Sequence, residues 1–139
     1  MKNSIKPTFV KPDLVVRGKI ENLLNKTMQM PQLEIDNEYC HIPGLFAKTA
    51  HFKKNTLIVG KIHLKEHINV MSSGDITVVT EEGIKRLTGF NILACKPGSR
   101  RVGFCHEDTI WTTFFMTDET DPETVEDTCT TDSHLNLEN

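Results

Sequence analysis

Two histidines four residues apart, His63 and His67, carry the clearest chemistry in the chain, within Gly60-Lys61-Ile62-His63-Leu64-Lys65-Glu66-His67-Ile68-Asn69. Imidazole nitrogen is a ligand for Fe, Mn, Ni or Zn, and both rings could reach one divalent transition metal ion. Two histidines seldom complete such a site. His106, in His106-Glu107-Asp108, is the candidate third ligand, and the set would suit an oxygenase, isomerase or lyase. Against this stand Lys61 and Arg101, which add positive charge where a cation would sit. The same charges suit an anion, because Arg101 offers a planar fork for carboxylate or phosphate and Lys61 a point charge beside it. Asn69 shares strand parity with His67 and faces the same side, where it can either orient a ligand or make a plain hydrogen bond in the core. Trp111, the only tryptophan, is expected in the core or on a pocket wall. Glu107 and Asp108 point to opposite faces if extended and read as turn residues. His41 and His51 have no evident partner and His134 lies near the terminus. No Ser-His-Asp or Cys-His arrangement and no phosphate-cradling glycine motif stands out.

The stretch 60–74 with Pro97-Gly98 resembles the two motifs of the cupin family. There a Gly leads to two His one residue apart, then a Glu and a Gly seven residues on; the second motif centres on Pro-x-Gly and a third His. His67 occupies the Glu position, His63 the second His, Lys61 the first His and Arg101 the third His, so two possible ligands of four survive. Residues 31–125 further resemble a group of small cupins common in tailed-phage genomes. That resemblance rests on Pro43-Gly44-Leu45-Phe46, Gly60-Lys61-Ile62-His63, His67-Ile68-Asn69, Pro97-Gly98, His106-Glu107-Asp108-Thr109, Trp111-Thr112-Thr113 and Thr117-Asp118-Glu119-Thr120-Asp121. It implies an all-β, cupin-type jelly-roll barrel and an origin in a bacteriophage. A phage accessory protein binding a small, anionic molecule through the barrel mouth is the leading expectation, with Lys61, His63, His67, Asn69, Arg101 and Trp111 as lining. A mononuclear metal-dependent cupin enzyme and a structural or assembly protein of the phage particle are the alternatives.

The elements that would hold these residues are short and mostly β. Residues 44–48, 56–63, 75–80 and 109–115 are rich in β-branched or aromatic residues, and turn signals recur about every 8–9 residues, which leaves no room for crossover helices. Before them, residues 1–17 read as an N-terminal arm. Residues 18–30 read as a short amphipathic helix, with Ile20, Leu23, Leu24 and Met28 on one face and Pro31 as its stop. The barrel is expected over 31–117. An acidic tail follows over 118–139, starting a turn or two of helix at Asp121-Pro122 and then fraying.

At 139 residues, with 37% apolar and 25% charged residues, the chain suits one domain with one core. Its four cysteines lack metal or disulfide spacing and read as reduced thiols. The net charge of -3 divides unevenly: all 16 Lys and Arg lie in residues 1–101 and 10 of the 19 acids in 102–139, leaving a front of +7 and a tail of -10. The basic residues of the front are scattered and lack interleaved aromatics, so a nucleic-acid site is disfavoured. The charge split favours a homo-oligomer through head-to-tail contact. Neither a signal peptide nor a membrane-spanning stretch is evident, so the host cytoplasm is the expected location.

Overall fold

The computed structural model describes residues 14–80 and 82–132. It opens with helix α1 (Leu14–Thr27), so the helix begins ahead of residue 18 and takes in the end of the expected arm. Pro12 lies two residues before it, and proline is well tolerated ahead of a helix's hydrogen-bonded turns. Ile20 is buried, Leu23 and Leu24 are half-buried, and Met28 falls beyond the helix and is exposed. The apolar stripe is therefore shorter than the sequence pattern suggests. No helix among the described residues is long and apolar enough to cross a membrane.

Among the described residues eleven strands follow, in two facing sheets and one short ladder. The larger sheet has the order β1 (Asp36–Ile42), β2 (Leu45–Phe52), β10 (Thr109–Phe115), β5 (His67–Ser73) and β8 (Asn91–Cys95). The smaller has the order β3 (Leu57–Val59), β9 (Val102–Cys105), β6 (Asp75–Thr80) and β7 (Gly83–Thr88). Strands adjacent in a sheet but distant in sequence, such as β2 with β10, are the jelly-roll signature of an antiparallel double sheet. Alternation places Met71 of β5 opposite Ile76 and Val78 of β6 and Cys105 of β9, and these four form an apolar cluster between the sheets.

The run 56–63 is not one strand. It divides at Gly60, whose backbone N–H donates to the Arg101 carbonyl at 2.9 Å, and continues as β4 (Ile62–His63), which leaves the smaller sheet. A side chain on Gly60 would stand 3.2 Å from that same carbonyl, so the lack of a Cβ permits the close approach that turns the chain.

The tail is more ordered than its polar composition suggests. Asp121 caps helix α2 (Pro122–Cys129), its carboxylate accepting from the Thr124 backbone N–H at 3.0 Å, with Pro122 in the first turn. Val125 and Cys129, four apart on one helix face, are buried against Phe46 and Phe115. Strand β11 (Thr130–Thr131) then pairs with β4, Thr130 opposite His63. Residues 129–131 are thus part of the packed structure and do not fray; 133–139 lie outside the described residues.

Candidate functional site

Between the sheets lies a cavity of about 280 Å³. Its wall follows from strand parity. On β10, Trp111, Thr113 and Phe115 face inward; beside them sit Ala50, Lys48 and Phe46 of β2, and Met71 and Asn69 of β5 oppose Trp111 and Thr113. On the other side, Arg101, Gly103 and Cys105 alternate inward along β9 and the residue before it. One end of the space is accordingly apolar, with Phe52, Ile58, Val78 and Trp111. The other is polar, with Lys48, Lys61, His63, Asn69, Arg101 and Glu126.

Of the residues singled out from sequence, Lys61, His63, Asn69, Arg101 and Trp111 line this cavity. His67 stands just behind His63, 8% exposed, with the two rings stacked at 3.8 Å between centroids and 23° between planes. His63 stacks in turn on Phe115 at 5.5 Å. His106 does not join them. Thr77 pairs with Phe104 on the outward face of the smaller sheet, and His106, two residues beyond Phe104, shares that face, its Nε2 2.7 Å from the Thr77 hydroxyl. His106 directly follows the end of β9, and the parity of that strand turns its ring away from the cavity.

Sequence reading passed over Lys48 and Glu126, which join at 2.7 Å in the cavity wall. Lys48 was accessible from its parity with Phe46 and Ala50. Nothing local marks Glu126, which reaches the site only because the tail folds back. Arg100, neighbour of Arg101, is another surprise. It is 1% exposed, donates from Nη2 to the Asp132 carbonyl at 2.6 Å, and lies 3.7 Å from the Glu21 carboxylate of α1. Just ahead of β9 these consecutive arginines point apart, Arg101 into the cavity wall and Arg100 toward the helix and tail.

The electrostatics of the polar end follow from burial and charge. Burial lowers the His63 pKa to about 3, reinforced by the positive charges that His67, Arg101 and Lys48 would place near an imidazolium. Burial likewise lowers His67 to about 4, partly offset by its long contact to the Lys65 carbonyl at 3.4 Å. Both rings are neutral at pH 7. The charged wall residues are Lys48, Lys61, Arg101 and Glu126, three positive and one negative, for a net +2. The single carboxylate is held by Lys48. Among the described residues no carboxylate lies within ion-pair distance of Lys61 or Arg101. Asn69 is 3% exposed; its Nδ2 donates to Cys95 Sγ at 3.1 Å and reaches His67 Nε2 at 3.4 Å, while its Oδ1 has no partner. Burial raises the Cys95 thiol pKa, so this cysteine is a neutral hydrogen-bonding neighbour rather than a nucleophile.

A single metal ion does not fit this arrangement. Imidazole binds through an in-plane lone pair at roughly 2.1 Å. Two planes tilted by only 23° and stacked at 3.8 Å meet well beyond that reach, so His63 and His67 as placed cannot share an ion. Among the described residues no three His, Cys, Asp or Glu side chains converge. The metal set His63, His67 and His106 is therefore not assembled.

This architecture is that of the cupin and double-stranded β-helix proteins among its structural neighbours. The sequence itself matches no family profile and no curated protein. KdgF from Halomonas sp. is similar in structure, with a TM-score of 0.54 at 16% identity over 71% of this chain and 94% of that one. A cupin superfamily protein from Desulfitobacterium hafniense gives a TM-score of 0.54 at 6% identity over 68% of this chain and 88% of that one. Salicylate 1,2-dioxygenase from Pseudaminobacter salicylatoxidans also gives 0.54, at 10% identity, over 69% of this chain but only 30% of the enzyme. At these identities the likeness is one of fold.

Proposed function

We propose that this cupin-fold chain is a binding module for a small organic anion, held in the cavity between the sheets, rather than a metal-dependent enzyme. The observation that carries this reading is the net +2 of the cavity wall, with no carboxylate among the described residues within ion-pair distance of Arg101 or Lys61, beside two neutral, stacked histidines. A cation would meet like charge there and no convergent lone pairs. An anion would meet a guanidinium fork in a partly desolvated space, where charge-assisted hydrogen bonds are strongest. At about 30 Å³ per water-sized group, 280 Å³ holds roughly nine or ten non-hydrogen atoms. Titration calorimetry with phenylacetate as the probe tests the reading. The expected result is saturable binding to the native chain, weakened at least about tenfold by Arg101→Gln through loss of a charge-assisted pair. Failure of phenylacetate and inorganic phosphate alike to bind would overturn it.

A further inference from the structure

The unpartnered oxygen of Asn69 says more about the ligand than the positive charge does. A buried carbonyl oxygen is a demand for a donor, and none comes from the described residues: Asn69 Nδ2 is committed to Cys95 and His67, which leaves Oδ1, like Asn37 Oδ1 elsewhere in the wall, without a partner. Arg101 also borders Cys95, so the cation and the orphan acceptor flank one side chain, within the span of a single small molecule. At the other end of the cavity stand Phe52, Ile58, Val78 and Trp111, apolar but for the indole N–H of Trp111. A ligand that satisfies all three surfaces carries a carboxylate, a hydroxyl or amino donor close to it, and an apolar body.

Resting on the anion-binding reading, we propose that the cavity selects a hydroxy- or amino-substituted carboxylate of about ten non-hydrogen atoms in all, with an apolar body, its carboxylate on Arg101 and Lys61 and its donor on Asn69 Oδ1. Selection arises because a ligand without the donor leaves Oδ1 both buried and dry. A site built around a hydrogen bond rejects the analogue that lacks it far more strongly than an apolar wall rejects a missing methylene.

Four probes separate the parts: mandelate carries all three features, phenylacetate lacks the hydroxyl, 1-phenylethanol lacks the carboxylate, and lactate lacks the apolar body. Titrated into the native chain, mandelate is expected to bind at least about tenfold more tightly than phenylacetate and more tightly than the other two. In Asn69→Leu the preference for mandelate over phenylacetate should disappear while phenylacetate binding persists. Equal affinity of mandelate and phenylacetate for the native chain overturns this inference and leaves the anion-binding reading standing. Absence of binding by every carboxylate overturns that reading and this inference with it. The comparison among ligands uses the native chain, so it stands even if Asn69→Leu does not fold.

Discussion

Acidification should weaken this fold through two side chains in particular. His63 and His67 are neutral in the native state, with pKa values lowered to about 3 and about 4 from an ordinary 6.5. Once unfolded they regain that ordinary value. Below pH 6.5 the unfolded chain therefore binds protons that the native chain refuses, and stability falls as pH falls until the native values are reached. Between pH 7 and pH 5 each histidine contributes a loss of about 1.9 kcal/mol, or close to 4 kcal/mol for the pair. That is a large share of the roughly 5–15 kcal/mol available to a domain. Urea unfolding followed by the fluorescence of Trp111, the sole tryptophan, measures it at several pH values. The double variant His63→Gln, His67→Gln is the reference, since carboxylate titrations are common to both chains and cancel. The substitutions lower stability overall by removing the stack on Phe115, but the pH slope carries the argument. The native chain should lose about 3–4 kcal/mol more than the variant between pH 7 and 5; parallel curves would refute the claim that these imidazoles are buried neutral.

Two further outcomes follow from backbone geometry. Gly74 has φ +126°, and a Cβ there would collide with the Thr109 backbone and hydroxyl, whereas Gly83 at φ +132° faces open space. Gly74→Ala should therefore cost about 3 kcal/mol or more by thermal denaturation and Gly83→Ala only about 1–2 kcal/mol, because strain alone remains. Asp121→Ala removes the cap of α2 and should cost about 1 kcal/mol. It should also speed the labelling of the buried Cys129 by a thiol reagent, with Cys95 labelling unchanged.

The strands were legible where alternation was strong. Residues 75–80 and 109–115 appear at the ends expected, because their β-branched and aromatic residues meet a core on one face. The division at Gly60 was not legible, since it is caused by the Arg101 carbonyl, distant in sequence. The inward-facing Lys61, His63, Asn69, Arg101 and Trp111 could be named from residue type and motif spacing. Their electrostatic balance could not, because Glu126 enters from a tail whose composition resembles solvated loop and whose burial comes only from Val125 and Cys129 meeting Phe46 and Phe115. The stacking of His63 on His67 was equally hidden: on a regular strand a spacing of four places both on one face but well apart, and the break between β4 and β5 brings them together.

The pairing of β4 with β11 also sets an order of events during synthesis. Among the described residues, the two-residue strand that carries His63 has no other ladder partner, and the Leu64 backbone N–H donates to the Cys129 carbonyl at 2.9 Å. A nascent chain emerging from the ribosome can pair the two large sheets once β10 is clear, yet β4 must wait for residues 129–131. The polar end of the cavity is thus finished only after the strands of both larger sheets have been made. A ribosome stalled shortly before that point would display a double sheet with an unfinished binding site, so premature stops in this region should silence binding before they abolish folding.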